Sequence, residues 1–381
     1  MQDDPIYLDH NGTTPVDERV LQAALPYLAE HFGNPSTKSV YGQRARAGLD
    51  RARAQLADFL GCQPGELVLT SGATESNNWV LQGVTAAHLG PEKPHLVISQ
   101  IEHPSVGKTA DFLERTGRAE VTRVGVDSTG RVDPESVRRA LRPNTVLVSI
   151  MHSNNEVGTL QPIGAIAEAV AGKALLHTDA AQSAGKVSLD LTGVDFLSLA
   201  GHKMYAPKGV GALYIRQGRT LEPLLFGAGH EGGRRSGTEP VALAVALGEA
   251  AALCRPEDGQ QLARLRDRLE NALKSALGGN VQLNGHPTQR LPNTLSLSFL
   301  HTTGAELTAR CPELAASTGP ACHDGVVRLS HVLQAMGVDP EVGKGAVRLT
   351  LGRSTTEEQV DRAASALVAA YRALVDRPAV R

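Results

Sequence analysis

The chain has 381 residues, 41% of them hydrophobic and 20% charged, with a formal net charge of −2. That length suits one large domain with a smaller companion. The balanced charge excludes a broad cationic face for nucleic acid or anionic membranes, and the ordinary apolar content excludes disorder as the main state. Met1–Asp4 lacks the basic-then-apolar order of a signal peptide, and the longest apolar run, 241–253, is interrupted by Glu249 and too short to span a bilayer. A cytoplasmic protein is expected. Cys62, Cys254, Cys311 and Cys322 are too few and too scattered for a disulfide framework, and the thirteen histidines show no metal-ligand spacing.

Between about 65 and 216, short β-rich runs alternate with helical runs. Strands are expected at 66–70, 95–99, 145–150, 174–177 and 195–199, with helices such as 104–116 and 162–171 between them. This alternation predicts an α/β fold with a mostly parallel sheet covered by helices. A helix over 241–253 leads to a polar break at 255–260. A charged helix over 261–277, strands near 293–300 and 346–351, and a helix over 357–375 then predict a smaller α+β domain. The expected division is 15–256 for the large domain, with 1–14 and 257–381 forming the small one.

In such sheets ligands gather at the carboxyl ends of the strands. Thr70-Ser-Gly-Ala-Thr-Glu-Ser76 follows a strand and opens a helix, which suits either an anion nest or an ordinary capped turn. His177-Thr-Asp179 places a carboxylate where it can face a cationic ring nitrogen or cap the next helix. Gly201-His-Lys203 puts one of only nine lysines, against 29 arginines, at a buried strand end. A desolvated lysine forms a Schiff base readily, and the alternative is a lysine that reaches out to solvent. Ser317-Thr-Gly-Pro-Ala-Cys322-His-Asp-Gly325 reads as a loop, whose cysteine is either inert or an exposed thiol activated by nearby positive charge. Phosphate nest, acid, lysine and thiol together describe a pyridoxal-phosphate enzyme acting on sulfur or selenium.

The sequence resembles the cysteine desulfurases and selenocysteine lyases, fold-type I pyridoxal-phosphate enzymes of the class V aminotransferase group. The likeness runs nearly end to end, through Leu8-Asp-His-Asn-Gly-Thr-Thr-Pro15, Phe32-Gly-Asn-Pro-Ser36, Thr70–Asn77, Glu102-His103, Asn154-Asn-Glu156 and His177–Gln182. It continues through Gly201-His-Lys203, Gly229-His-Glu231, Arg235-Ser-Gly-Thr238, Cys322 and Leu351-Gly-Arg353.

The resemblance implies that Lys203 holds pyridoxal 5'-phosphate covalently and takes the Cα proton, and that Asp179 faces the pyridine nitrogen. It implies that His103 stacks on the ring and carries protons, and that Asn154 and Gln182 contact the ring oxygen and its surroundings. Ala73, Thr74 and His202 would bind the phosphate, with Thr238 reaching it from the neighbouring subunit of a homodimer. Arg353, with Asn34 nearby, would clamp the substrate carboxylate, and Cys322 would accept sulfur as a persulfide. The implied reaction converts L-cysteine to L-alanine, with an acceptor protein taking the sulfur.

Ala200 stands where many desulfurases carry a phosphate-binding serine. That residue and the wording of the cysteine segment also fit selenocysteine lyases, which release selenide from L-selenocysteine. Another aminotransferase or β-lyase reaction, or a non-catalytic sulfur-carrier scaffold, are the remaining expectations.

Overall fold

The computed structural model describes residues 5–318, 321–323 and 326–376, with the side chains of Pro256 and residues 321–328 outside the description. Its largest sheet has seven strands in the order Leu67–Thr70, Gly211–Ile215, Phe196–Ala200, Leu175–Asp179, Thr145–Ser149, His95–Ser99 and Glu120–Val124. Only Gly211–Ile215 runs against the others. The inner strands are continuous apolar runs because helices cover both faces. Val97, Val148, Leu197 and Leu199 face one apolar core, while Leu96, Ile98, Leu147 and Phe196 face another.

A four-stranded antiparallel sheet of Ser317–Thr318, Ala346–Thr350, Thr294–Phe299 and Val281–Asn284 packs beneath helices Pro256–Leu277 and Glu357–Val375. Its separate core takes Leu269, Leu273, Phe299, Val347, Leu349 and Tyr371, together with Ile6 and Leu8 from the start of the chain. Ile6–Tyr7 pairs in parallel with Leu314–Ala315. The chain therefore begins on the smaller sheet, and residues 9–14 then cross to the larger one.

Three expectations need correction. The polar stretch 255–260 is no break: the helix starts at Pro256, with Glu257 and Asp258 in its first turn. Proline at the first position and acidic residues beside the positive helix end are helix-starting signals. Strands Glu120–Val124 and Gly211–Ile215 were not anticipated. The first is a partly exposed edge strand with a polar pattern. The second opens on a glycine, which is required there: a Cβ on Gly211 would lie 2.6 Å from Gly72 Cα. Finally, the cysteine segment includes short strands, with Ala321–His323 pairing antiparallel to Val326–Arg328 and Cys322 opposite Val327. No helix among the described residues is long and apolar enough to cross a membrane.

Candidate active site

A cavity of about 500 Å³ opens where the strands of the large sheet end. Each wall comes from a strand-end segment: 71–75 after Leu67–Thr70, His103 and Ser105 after His95–Ser99, Met151 and Ser153 after Thr145–Ser149. Asp179 with Ala181 and Gln182, and Ala200 with His202 and Lys203, complete the row. Asn11 and Gly12 close it from the chain start, and Arg348 reaches in from the smaller sheet.

Lys203 sits in a short 3-10 turn, Gly201–Lys203, that stops its strand at the cavity. Its Nζ donates to the carbonyls of Asn11 and Gly12 at 2.5 and 2.6 Å. Burial, then the Arg348 charge, brings the Lys203 pKa down to about 8, so a free amine is accessible close to neutral pH. The Asp179 carboxylate accepts from Ala181 N at 2.9 Å and from Asn77 Nδ2 at 2.7 Å. Gln182 donates to the Asn11 carbonyl at 3.0 Å. His202 is lowered to about 4 by burial and then by the Lys203 charge, and its Nδ1 lies 3.1 Å from Thr13 Oγ1.

Helix Ala73–Ala87 points its N-terminus into the cavity, and Gly72 caps it without any side-chain hydrogen bond. The N–H groups of the first turn are therefore left for an anion, at the positive end of the helix. Cavity, uncapped helix terminus, carboxylate and lowered lysine fit a phosphate-bearing pyridinium aldehyde, and the donor set suits its two ends.

Seven residues singled out in the sequence thus meet on one cavity: Ala73, Thr74, His103, Asp179, Gln182, His202 and Lys203. Others lie elsewhere. Asn154 is fully buried behind the wall, its Oδ1 accepting from Glu156 N and Val157 N and its Nδ2 donating to the Ile101 carbonyl. Its neighbours Ser153 and Asn155 line the cavity instead. Asn34 is exposed and accepts from Ser36 N in a local turn. Thr238 is exposed on the segment after Phe226. The Cys322 side chain lies outside the described residues.

Arg353 is also not part of the cavity wall. Its Nε pairs with Asp258 at 2.9 Å, its guanidinium lies 4.4 Å from the Tyr205 ring centre, and its backbone N–H donates to Tyr205 Oη at 2.7 Å. The guanidinium that lines the cavity is Arg348. It pairs with Asp9 and donates to the Asn155 carbonyl at 3.1 Å, while its buried Nε has no partner among the described residues. Sequence reasoning missed Arg348, although a signal was present. In Ala346-Val-Arg-Leu-Thr350 the arginine alternates with Val347 and Leu349, which enter the small core, so it must face the other way.

A mostly parallel α/β sheet with a lysine, an acid and an anion-binding helix terminus at its strand ends defines a class, the fold-type I pyridoxal-phosphate enzymes. A family model described as aminotransferase class-V matches residues 6–363, and the chain belongs to that family, whose cofactor is pyridoxal phosphate. It is 44% identical over 364 residues to "Cysteine desulfurase IscS 1" of Archaeoglobus fulgidus, spanning 93% of this chain and 94% of the relative. The cysteine desulfurase of Mus musculus is 42% identical over 367 residues, 94% of this chain and 79% of the relative. Among solved structures, a "NIFS-LIKE PROTEIN" superposes with a TM-score of 0.88 at 36% identity, covering 98% of this chain and all of that one. "SspA in complex with cysteine" superposes with 0.82 at 35% identity, covering 92% and 99%.

Proposed function

We propose that this chain is a cysteine desulfurase in which the sulfur of L-cysteine passes to the thiol of Cys322, giving L-alanine and a persulfide. The Cys322 sulfur bonds to the substrate Sγ as the Cβ–Sγ bond breaks. The electron pair of that bond stays with the carbon fragment, which takes up a proton to become the methyl group of alanine. Carbon is reduced as sulfur is oxidised, so the step balances without an external oxidant. The observation that carries the reading is the pairing, across one cavity, of the lowered Lys203 amine with the Arg348 guanidinium. An amino acid needs both: a base at Cα and a cation for its carboxylate.

Pyridoxal phosphate, when bound, supplies the electron sink that makes the Cα proton removable. The N–H groups of Ala73 and Thr74, with His202, would hold its phosphate. Asp179 would face its ring nitrogen, its carboxylate oriented by the hydrogen bonds it accepts from Asn77 and Ala181. Lys203 would bind it covalently and, once freed, take the Cα proton. Arg348, which lines the cavity, would bind the substrate carboxylate through a charge-assisted contact. We assign it this role in preference to Arg353, which is off the cavity wall with its Nε paired to Asp258.

A homodimer is part of the same proposal. Phe32 and Tyr41 stack at 5.5 Å while 66% and 50% exposed, and Phe226 is 81% exposed. Such apolar surface is favourable to cover. The segment after Phe226 would bring Thr238 to the partner's phosphate site. An acceptor protein would take the persulfide sulfur, and a cytoplasmic setting would keep Cys322 reduced.

The test is alanine release by purified protein given L-cysteine or L-selenocysteine with a thiol reductant. Alanine from cysteine is expected. Alanine from selenocysteine alone would make the protein a selenocysteine lyase, and a keto acid or an amine in place of alanine would sink both readings.

A further inference from the structure

His103 reaches the cavity from the N-cap of helix Pro104–Arg115. Its Nδ1 is taken up by its neighbour on the wall, 2.8 Å from Ser105 Oγ and 3.2 Å from the Ser105 backbone N–H. That N–H can only donate, so Nδ1 must accept. The hydroxyl has its own constraint. Ser105 Oγ receives a hydrogen bond from Asn77 Nδ2 at 2.8 Å, and the same amide nitrogen donates to Asp179 Oδ2 at 2.7 Å. A carboxylate accepts only, so the charge on Asp179 dictates which way round the Asn77 amide sits. With its NH2 spent on Asp179 and Ser105, the one proton left on the Ser105 hydroxyl is free to point at Nδ1. Asn77 is fully buried and Ser105 nearly so, which keeps water from substituting.

From this geometry we infer that Asn77 and Ser105 are positioning residues that lock His103 as the neutral imidazole with its proton on Nε2, the ring nitrogen left to the cavity. The lock runs as a continuous line: Asp179 carboxylate, Asn77 amide, Ser105 hydroxyl, His103 Nδ1. Its consequence concerns the reaction proposed above, on which it rests. His103 presents the cavity with a fixed hydrogen-bond donor, not with a basic nitrogen. Accepting a proton at Nδ1 would set an N–H against the Ser105 N–H and force the hydroxyl to rotate. The titratable groups acting on His103 are Asp179 at its strand end, Lys203 on the same cavity and His331 at the start of helix His331–Ala335. Burial, more than any of these, holds the imidazole below the ordinary histidine range, in keeping with a neutral ring.

The test reads the resting protein, without substrate, so that it stands apart from the desulfurase assignment. In 15N-histidine-labelled holoenzyme, the His103 resonances (assigned by their loss in His103→Gln) should show a bare imine-type Nδ1 and a protonated Nε2. Ser105→Ala should keep the proton on Nε2, because the residue-105 backbone N–H still donates to Nδ1, but should raise the His103 pKa by roughly 0.5–1, since the hydroxyl that favours the neutral ring is gone. Ser105→Thr, which keeps the hydroxyl, should restore the wild-type titration. Asn77→Ser should give an intermediate value. A wild-type proton on Nδ1 would overturn the proposal, as would a His103 titration in Ser105→Ala identical to wild type. If the tautomer is as stated but no alanine forms from cysteine, the lock stands and the desulfurase reading fails.

Discussion

The rim around Lys203 and the segment carrying Cys322 supply the two halves of the proposed reaction, and they are built on opposite plans. Around Lys203 every functional side chain hangs from the end of a buried strand and is tied to a neighbour: Lys203 to Asn11 and Gly12, Asp179 to Asn77, His103 to Ser105. Cys322 lies on a three-residue strand whose one partner among the described residues is Val326–Arg328, in a two-stranded sheet separate from the two larger ones. Proton transfer at Cα needs positions held to a fraction of an ångström, whereas a carrier of sulfur must meet first the substrate and then an acceptor. Strand ends fixed in a large sheet serve the first task, and a short strand pair outside that sheet suits the second.

The comparison can be broken at its strongest point first. Lys203→Ala should remove the covalent hold on the cofactor and cut alanine formation by about 1000-fold or more, measured by product analysis alongside the visible spectrum. Cys322→Ala should leave the spectrum of the bound cofactor unchanged while alanine formation from cysteine falls by roughly 100-fold or more. A normal rate in that variant would separate Cys322 from the chemistry.

A subtler division lies within the smaller sheet and the turn after it. Arg348→Ala should raise KM for cysteine about 10- to 100-fold, the worth of a charge-assisted contact of about 1.5–3 kcal/mol. Arg353→Ala should move KM little and instead lower thermal stability, because Asp258 loses its partner. The reverse pattern would return the carboxylate-binding role to Arg353.

The smallest expected effect concerns Glu102, beside His103. Its carboxyl is buried and pushed up to about 8, with Oε1 accepting from Ser99 Oγ at 2.5 Å and Met151 N at 2.9 Å. A group whose pKa is raised on folding stabilises the fold while protonated and loses that contribution as pH rises toward the folded value. Relative to Glu102→Gln, which cannot ionise, the wild type should lose about a few °C of Tm between pH 5 and pH 9, read by thermal unfolding. A constant difference across that range would mean that Glu102 does not titrate there.

Much of the site was legible because its motifs are local. A strand that stops, a small-residue turn and a helix that starts leave marks within a few residues, so 70–76, Asp179 and Lys203 could be read as strand-end groups before any contact was known. The antiparallel strand Gly211–Ile215 was not legible, because its opening glycine argues against a strand and one of its two neighbours, Leu67–Thr70, is distant in sequence. Asn154 and Arg353 lie off the cavity wall for reasons that motif position does not carry: Asn154 closes its own turn, and Arg353 pairs with Asp258 on a helix that begins at Pro256.

Sequence alone therefore carried the α/β class, through periodicity, and the cofactor, through strand-end motifs and the family they resemble; the same motifs single out the lysine, acid and thiol proposed for the chemistry. Tertiary structure alone decided which arginine enters the cavity, which residues lie behind its wall, and that Asn77 and Ser105 join Asp179 to His103. Those choices rest on side-chain direction and on charge and hydrogen-bond partners more than twenty residues apart. Only packing brings such groups within 3 Å of one another.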